Sequence, residues 1–215
     1  MTNNHLPIAK EIISNPLASQ LILTARTRQC RVPTINRGRE TALPCPLDHS
    51  GATGIDISQQ QSFVSIYWDY ENIPDVKQAN NLLLFAASLG CVVTKKVYDK
   101  NWQQENNGSQ KRQRIFVNLG FDCVNVPQNI KNAADFSLFG DCSGEAAVGL
   151  YPHTFIILSG DGYGEILIPK LQDKGKKVII FARPGNENKN LESLADGFHF
   201  VDELPKLIEA YKRGA

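Results

Sequence analysis

The chain has 215 residues, is 42% apolar and carries a net charge of +1, which suits one α/β domain with an extension, or two small domains. The near-neutral balance excludes a global pull toward nucleic acid, so any such binding has to be local. No apolar stretch approaches the ~20 residues of a membrane helix, the start lacks the apolar core of a secretory signal, and five cysteines without a C-x-x-C pair point to reduced structural thiols in a cytoplasmic setting.

Residues 1–62 read as an N-terminal extension and linker. Apolar residues recur at loosely helical spacing over 8–23, interrupted by Asn15-Pro16. Such a helix is suited to pairing two copies, to meeting a protein partner or to docking on its own domain, and these alternatives stand open. Residues 26–39 hold five arginines and no acid, a composition that fits either a flexible arm on phosphate or a tail without a partner. Residues 41–61, rich in Pro, Gly, Ser and Gln, read as a linker.

From residue 63 the pattern becomes α/β. Strands are predicted at 63–68, 91–98, 122–126, 154–158, 177–181 and 198–201. Helices are predicted at 76–89, 111–119, 133–148, 163–174 and 204–211, with a short helical turn at 190–195 and a polar loop at 100–110. Gly90, Gly120 and Gly175 supply stops, and Gly144 reads as a bend or a close contact inside its helix. Strands alternating with helices imply βαβ crossovers and a mostly parallel sheet covered on both faces.

The acids carry the chemistry. Asp69 closes the first apolar run and Asp161 closes the run that ends Ser159-Gly160. Parallel strands bring such carboxyl ends to one edge of the sheet, where α/β proteins bind ligands. Asp135 and Asp141 lie six residues apart on or beside one helix, so both reach one cation only if Asp135 sits at the helix start. Otherwise one is a ligand and the other is solvated or faces substrate. Carboxylates gathered at one edge repel each other unless a hard, oxygen-loving cation such as Mg²⁺ or Mn²⁺ neutralises them. A divalent site of this kind suits attack on a phosphodiester, with Asp69, Asp135 and Asp161 as ligands and Asp141 completing the shell or positioning water. Asn72 and Ser159 would support the turns or touch substrate. Glu145, one turn after Asp141, reads as an exposed helix position, and the four histidines show no ligand spacing. Lys111, Arg112 and Arg114 form a basic stretch with Lys95, Lys96 and Lys100, and Trp102 is placed to stack on a base.

These residues resemble the NYN domains, including their LabA-like branch, of the PIN-like nuclease superfamily. The resemblance covers roughly residues 63–203. Asp69-Tyr70-Glu71-Asn72 resembles the family's Asp-x-x-Asn, Asp135, Leu138 and Asp141 its second motif, and Ser159-Gly160-Asp161 its third. It implies a three-layer PIN-like domain with a Rossmann-like, mostly parallel sheet over residues 63–215, a Mg²⁺ or Mn²⁺ site built from these acids, and an RNA substrate cleaved as by an endoribonuclease. Two departures stand out. The family pattern Ser-Gly-Asp-x-Asp-Phe has Tyr163 and Gly164 at its last two positions here, and Lys131 lies four rather than three residues before Asp135. Losing one carboxylate supports a second expectation, a non-catalytic NYN module that binds RNA or protein, unless Glu165 compensates. A third, weaker likeness is to haloacid-dehalogenase-like phosphatases, with Asp69 as nucleophile.

Overall fold

The structure, a computed structural model, describes residues 62–104, 107–149 and 151–214. The readings made for residues 1–61, including the apolar helix, the arginine-rich stretch and most of the linker, lie outside the described residues.

The elements follow in strict alternation: β1 (Phe63–Asp69), α1 (Ala79–Leu89), β2 (Cys91–Asp99), α2 (Asn107–Asn118), β3 (Asp122–Asn125), α3 (Ala133–Val148), β4 (Thr154–Leu158), α4 (Gly164–Gln172), β5 (Lys177–Ala182), α5 (Asn190–Leu194), β6 (Gly197–Phe200) and α6 (Leu204–Gly214). The sheet is ordered β3-β2-β1-β4-β5-β6, and each pairing is parallel. The chain therefore builds outward from β1 through β2 to β3, then returns to the other side of β1 to lay down β4. That reversal opens a crevice at the carboxyl ends of β1 and β4, the usual ligand position in such sheets.

Both faces of the central strands are buried, which explains why β1 and β4 are apolar without alternation. Val64, Ile66, Trp68, Ile156 and Leu158 face one core with Leu82 and Ala86 of α1, Phe116 of α2 and Leu204 of α6. Tyr67, Phe155 and Ile157 face the other, against Leu138 and Cys142 of α3 and Leu167 and Leu171 of α4. The result is a three-layer α/β domain.

Several local expectations need correction. Helix α2 begins at Asn107, four residues earlier than expected, because Asn, Gly and Ser at its start read as loop although a tertiary contact fixes them. The Ser109 hydroxyl donates to the Asn101 carbonyl. Val76–Gln78 forms a 3-10 turn ahead of α1, capped by Asp75. A Cβ at Gly144 would meet nothing within 4 Å, so no close contact calls for that glycine. Cys123 and Cys142 are free thiols. No helix among the described residues is long and apolar enough to cross a membrane.

Gly160 is the glycine whose smallness positions the site. A Cβ there would lie 2.6 Å from the Asn186 carbonyl oxygen, and the Asn188 amide donates to the Gly160 carbonyl at 2.8 Å. The loop after β5 therefore lies directly across the loop after β4. Gly160→Ala is expected to destabilise the domain by roughly 1–3 kcal/mol, as overpacking does, and a urea melt of the variant checks this.

Candidate functional site

Asp69 ends β1 with only 2% of its surface exposed. Its Oδ1 accepts the backbone amides of Glu71 and Asn72 at 3.1 and 3.2 Å, so the turn Asp-Tyr-Glu-Asn folds around the carboxylate and leaves the other oxygen for the crevice. The Asn72 side chain then crosses to the neighbouring strand, where its Oδ1 accepts the Gly160 amide at 3.0 Å. It also hydrogen-bonds the Asp161 carboxylate, which lowers that group's pKa against burial. Asn72 is thus the strut that spaces the two strand ends, more a positioning group than a substrate contact. Ser159 is buried and its hydroxyl accepts the Asp161 amide at 3.3 Å, so it shapes the turn and is not free for substrate. Asp161 is not a helix cap, since α4 has no side-chain cap.

Asp135 lies in the first turn of α3, the placement the shared-cation reading required. Asp69, Asp135 and Asp161 each offer a carboxylate oxygen, and these oxygens lie within 4.8 Å of one another. Asp141 does not join them. It accepts Lys96 Nζ at 2.8 Å and the Tyr98 hydroxyl at 2.6 Å, and these contacts hold its carboxyl below the usual range despite burial. Six residues on from Asp135, it sits well around and along the helix and turns to the sheet. Glu145 is corrected as well. It accepts the hydroxyls of Tyr67 at 2.6 Å and Thr94 at 2.5 Å, so α3 is bolted to β1 and β2 by two carboxylates one turn apart. That fastening fixes the helix that carries Asp135.

Burial pushes Asp69 up to about 7, with Asp135 and Asp161 adding repulsion against the Asn72 amide. Burial and the Asp161 charge push Asp135 up to about 6, against a hydrogen bond shared with Asp69. Burial also raises Asp161. Three carboxyls held up together need protons or a cation to neutralise them. Tyr163 stands where the sequence lacks an acid. Its hydroxyl oxygen is buried without a well-formed hydrogen bond, although Ser159 leans toward it, and burial followed by the charge on Asp69 drives its pKa far up. Glu165 does not compensate, because it accepts the side-chain amides of Asn188, on the loop after β5, at 2.6 Å and of Asn190, at the start of α5, at 3.0 Å.

The three acids line a cleft of about 520 Å³ whose other walls include Lys100, Gln128, Lys131 and Asn186. Gln128 and Asn186 had no sequence signal beyond their place in turn-rich loops after β3 and β5. Trp102 is corrected outright: it is 3% exposed, its indole donates to the Val97 carbonyl at 3.2 Å, and it packs on Tyr70 and Phe116. It cannot stack on a base. Lys95 and Lys96 are also engaged, by the Leu119 carbonyl and by Asp141, which leaves Lys111 and Arg114 exposed on α2 and Arg112 half-buried there.

The family model for the NYN domain matches residues 63–203. The chain belongs to the NYN family. Among solved structures, a protein of unknown function from Vibrio parahaemolyticus is similar over 68% of this chain and 97% of its own, with 21% identity and a TM-score of 0.57, which speaks to the fold. A comparison with curated proteins finds no match. The NYN domain belongs to the PIN-like nuclease superfamily, and the likeness to haloacid-dehalogenase-like phosphatases is set aside. Glu71, two residues after Asp69 where that family carries a second acid, is held by the Lys100 amide and ammonium at 3.1 and 3.0 Å.

Proposed function

We propose that this NYN domain is a metal-dependent endoribonuclease that hydrolyses RNA phosphodiesters in the cleft beside Asp69, Asp135 and Asp161. One observation carries the reading: three carboxylate oxygens from separate stretches of chain lie within 4.8 Å of one another, at the crevice where the sheet reverses. The residues fit a hard cation. The donors are all oxygens, the carboxyls are raised by burial and mutual charge, and one buried hydroxyl beside them lacks a settled partner. Asp69, Asp135 and Asp161 would hold Mg²⁺ or Mn²⁺. Such an ion, when bound, activates water and offsets charge at the phosphorus.

The chain's own residues do the rest. Asn72 and Ser159 hold Asp161 against Asp69, and the Asp141 and Glu145 contacts hold α3, and with it Asp135, against the sheet. Lys100 and Lys131 on the cleft wall favour a polyanion next to acids that would otherwise repel it. RNA without secondary structure fits an open, polar cleft of this size. The test is cleavage of unstructured RNA by the full chain with Mg²⁺ or Mn²⁺, with chelator as control. Metal-dependent internal cuts are the expected result, and intact RNA at high enzyme concentration overturns the proposal. Tyr163 favours one alternative, an RNA-binding module without turnover, which the same assay separates by showing binding without cuts.

A further inference from the structure

A second pocket of about 440 Å³ lies beside the cleft, lined by Tyr70, Glu71, Pro74, Asp99, Lys100 and Arg112 along with Asn101. Glu71 and Lys100 also line the cleft of the three acids, and their ion pair at 3.0 Å is the wall between the two spaces. The pocket is therefore one step along any strand lying in the cleft.

Its polar groups are unusual for what they leave undone. Arg112 stands over the Tyr70 ring at 5.9 Å, and its Nε is buried without a hydrogen-bond partner. Asp99 is 2% exposed, and its Oδ1 takes the amide and side chain of Asn101, both at 2.9 Å. Its other oxygen has no hydrogen bond among the described residues. Burial raises the Asp99 carboxyl and the Arg112 charge acts against that rise, yet the two form no ion pair. Arg112 and Asp99 thus line the same space without pairing with each other.

The charge around the pocket decides what fits. Two acids, Glu71 and Asp99, balance two bases, Lys100 and Arg112, so a phosphate gains little by entering. A neutral ring with donors and acceptors on adjoining edges gains more, because it meets an arginine and a carboxylate that do not pair with each other. Guanine offers O6 and N7 to an arginine fork, and its N1–H and N2–H donors lie next to O6, facing a carboxylate. The Pro74 ring supplies an apolar surface for the face of the base.

We propose that this pocket is a nucleobase subsite, selective for guanine, that seats the base next to the phosphodiester held at the three acids. The subsite rests on the nuclease reading for its biological sense but is tested without it. GMP, AMP, CMP and UMP are titrated by calorimetry into the full chain in chelator, where cleavage plays no part. GMP is expected to bind at least ~5-fold tighter than the others. Arg112→Gln should weaken GMP by roughly tenfold, and Asp99→Asn, which keeps the Oδ1 contacts but turns an amide into the pocket, should erase the preference. Circular dichroism melts confirm that both variants fold. Equal affinities for the four nucleotides, or a preference unmoved by both substitutions, overturn the subsite even if RNA is cleaved. A guanine preference that needs Arg112, in a protein that never cuts RNA, upholds the subsite and removes the nuclease reading.

Discussion

Asp69→Asn is expected to abolish the proposed metal-dependent cleavage, by roughly a thousandfold or more if the acid contributes several kcal/mol to the loaded site, and to raise the melting temperature of the metal-free protein at pH 8. The two effects share a cause. Asp69 is buried with two carboxylates beside it, and its pKa rises from 3.8 to about 7. Between those values the folded protein holds a proton that the unfolded chain has released, so stability is greatest below about pH 4 and is lost as pH rises through about 7. Each unit of such a shift is worth on the order of 1.4 kcal/mol. An asparagine keeps the Oδ1 contacts to the Glu71 and Asn72 amides and removes the charge. Melts from pH 5 to 8 should show the wild type falling steeply and the variant falling less, through the raised Asp135 that it keeps, with a gap of several degrees at pH 8. Mn²⁺ should restore the wild type and leave the variant unchanged. A variant that melts lower than wild type at pH 8, or that keeps its cleavage, would sink the account of this site.

Tyr163→Asp is expected to tighten Mn²⁺ binding by roughly tenfold or more, since ligand charge sets affinity in oxygen sites. The same change should destabilise the metal-free fold by about 2–4 kcal/mol, because it removes a ring from a packed position and adds a fourth negative charge. Tyr163→Phe separates the two parts. It deletes only a hydroxyl that is buried without a well-formed bond, and losing an unpaired buried polar atom stabilises by up to ~1 kcal/mol. Calorimetric Mn²⁺ titrations and urea melts of both variants check this. If Asp at 163 leaves Mn²⁺ affinity unchanged, the side chain does not face the ion.

Much of the scaffold was legible because the core is apolar on both faces. Runs such as Thr154–Leu158 have no reading other than a buried central strand once flanked by turn residues, and alternation with helices forces parallel pairing. Asp69 and Asp161 were legible for the same reason: acids at the ends of such strands must meet at one edge. What escaped depended on contacts between distant side chains. Asp141 looked able to complete the shell or position water, but Lys96 and Tyr98 on β2 claim it. Glu145 looked exposed, but Tyr67 and Thr94 bond it. Trp102, in a polar loop, looked available, yet Tyr70, Phe116, Trp68 and Phe121 form one aromatic cluster that draws it in. No local pattern in a sequence records which strand a side chain will lie against.

The reversal of the sheet at β1 also has a meaning for synthesis. Asp69 and Asp135 leave the ribosome before Asp161, and β4 has to slot in beside β1 before the last acid arrives. A nascent or truncated chain that stops short of residue 161 holds two of the three acids and an open edge on β1, so it carries no finished centre. The order of the strands thus makes the acidic centre the product of a completed sheet rather than of any single stretch of chain.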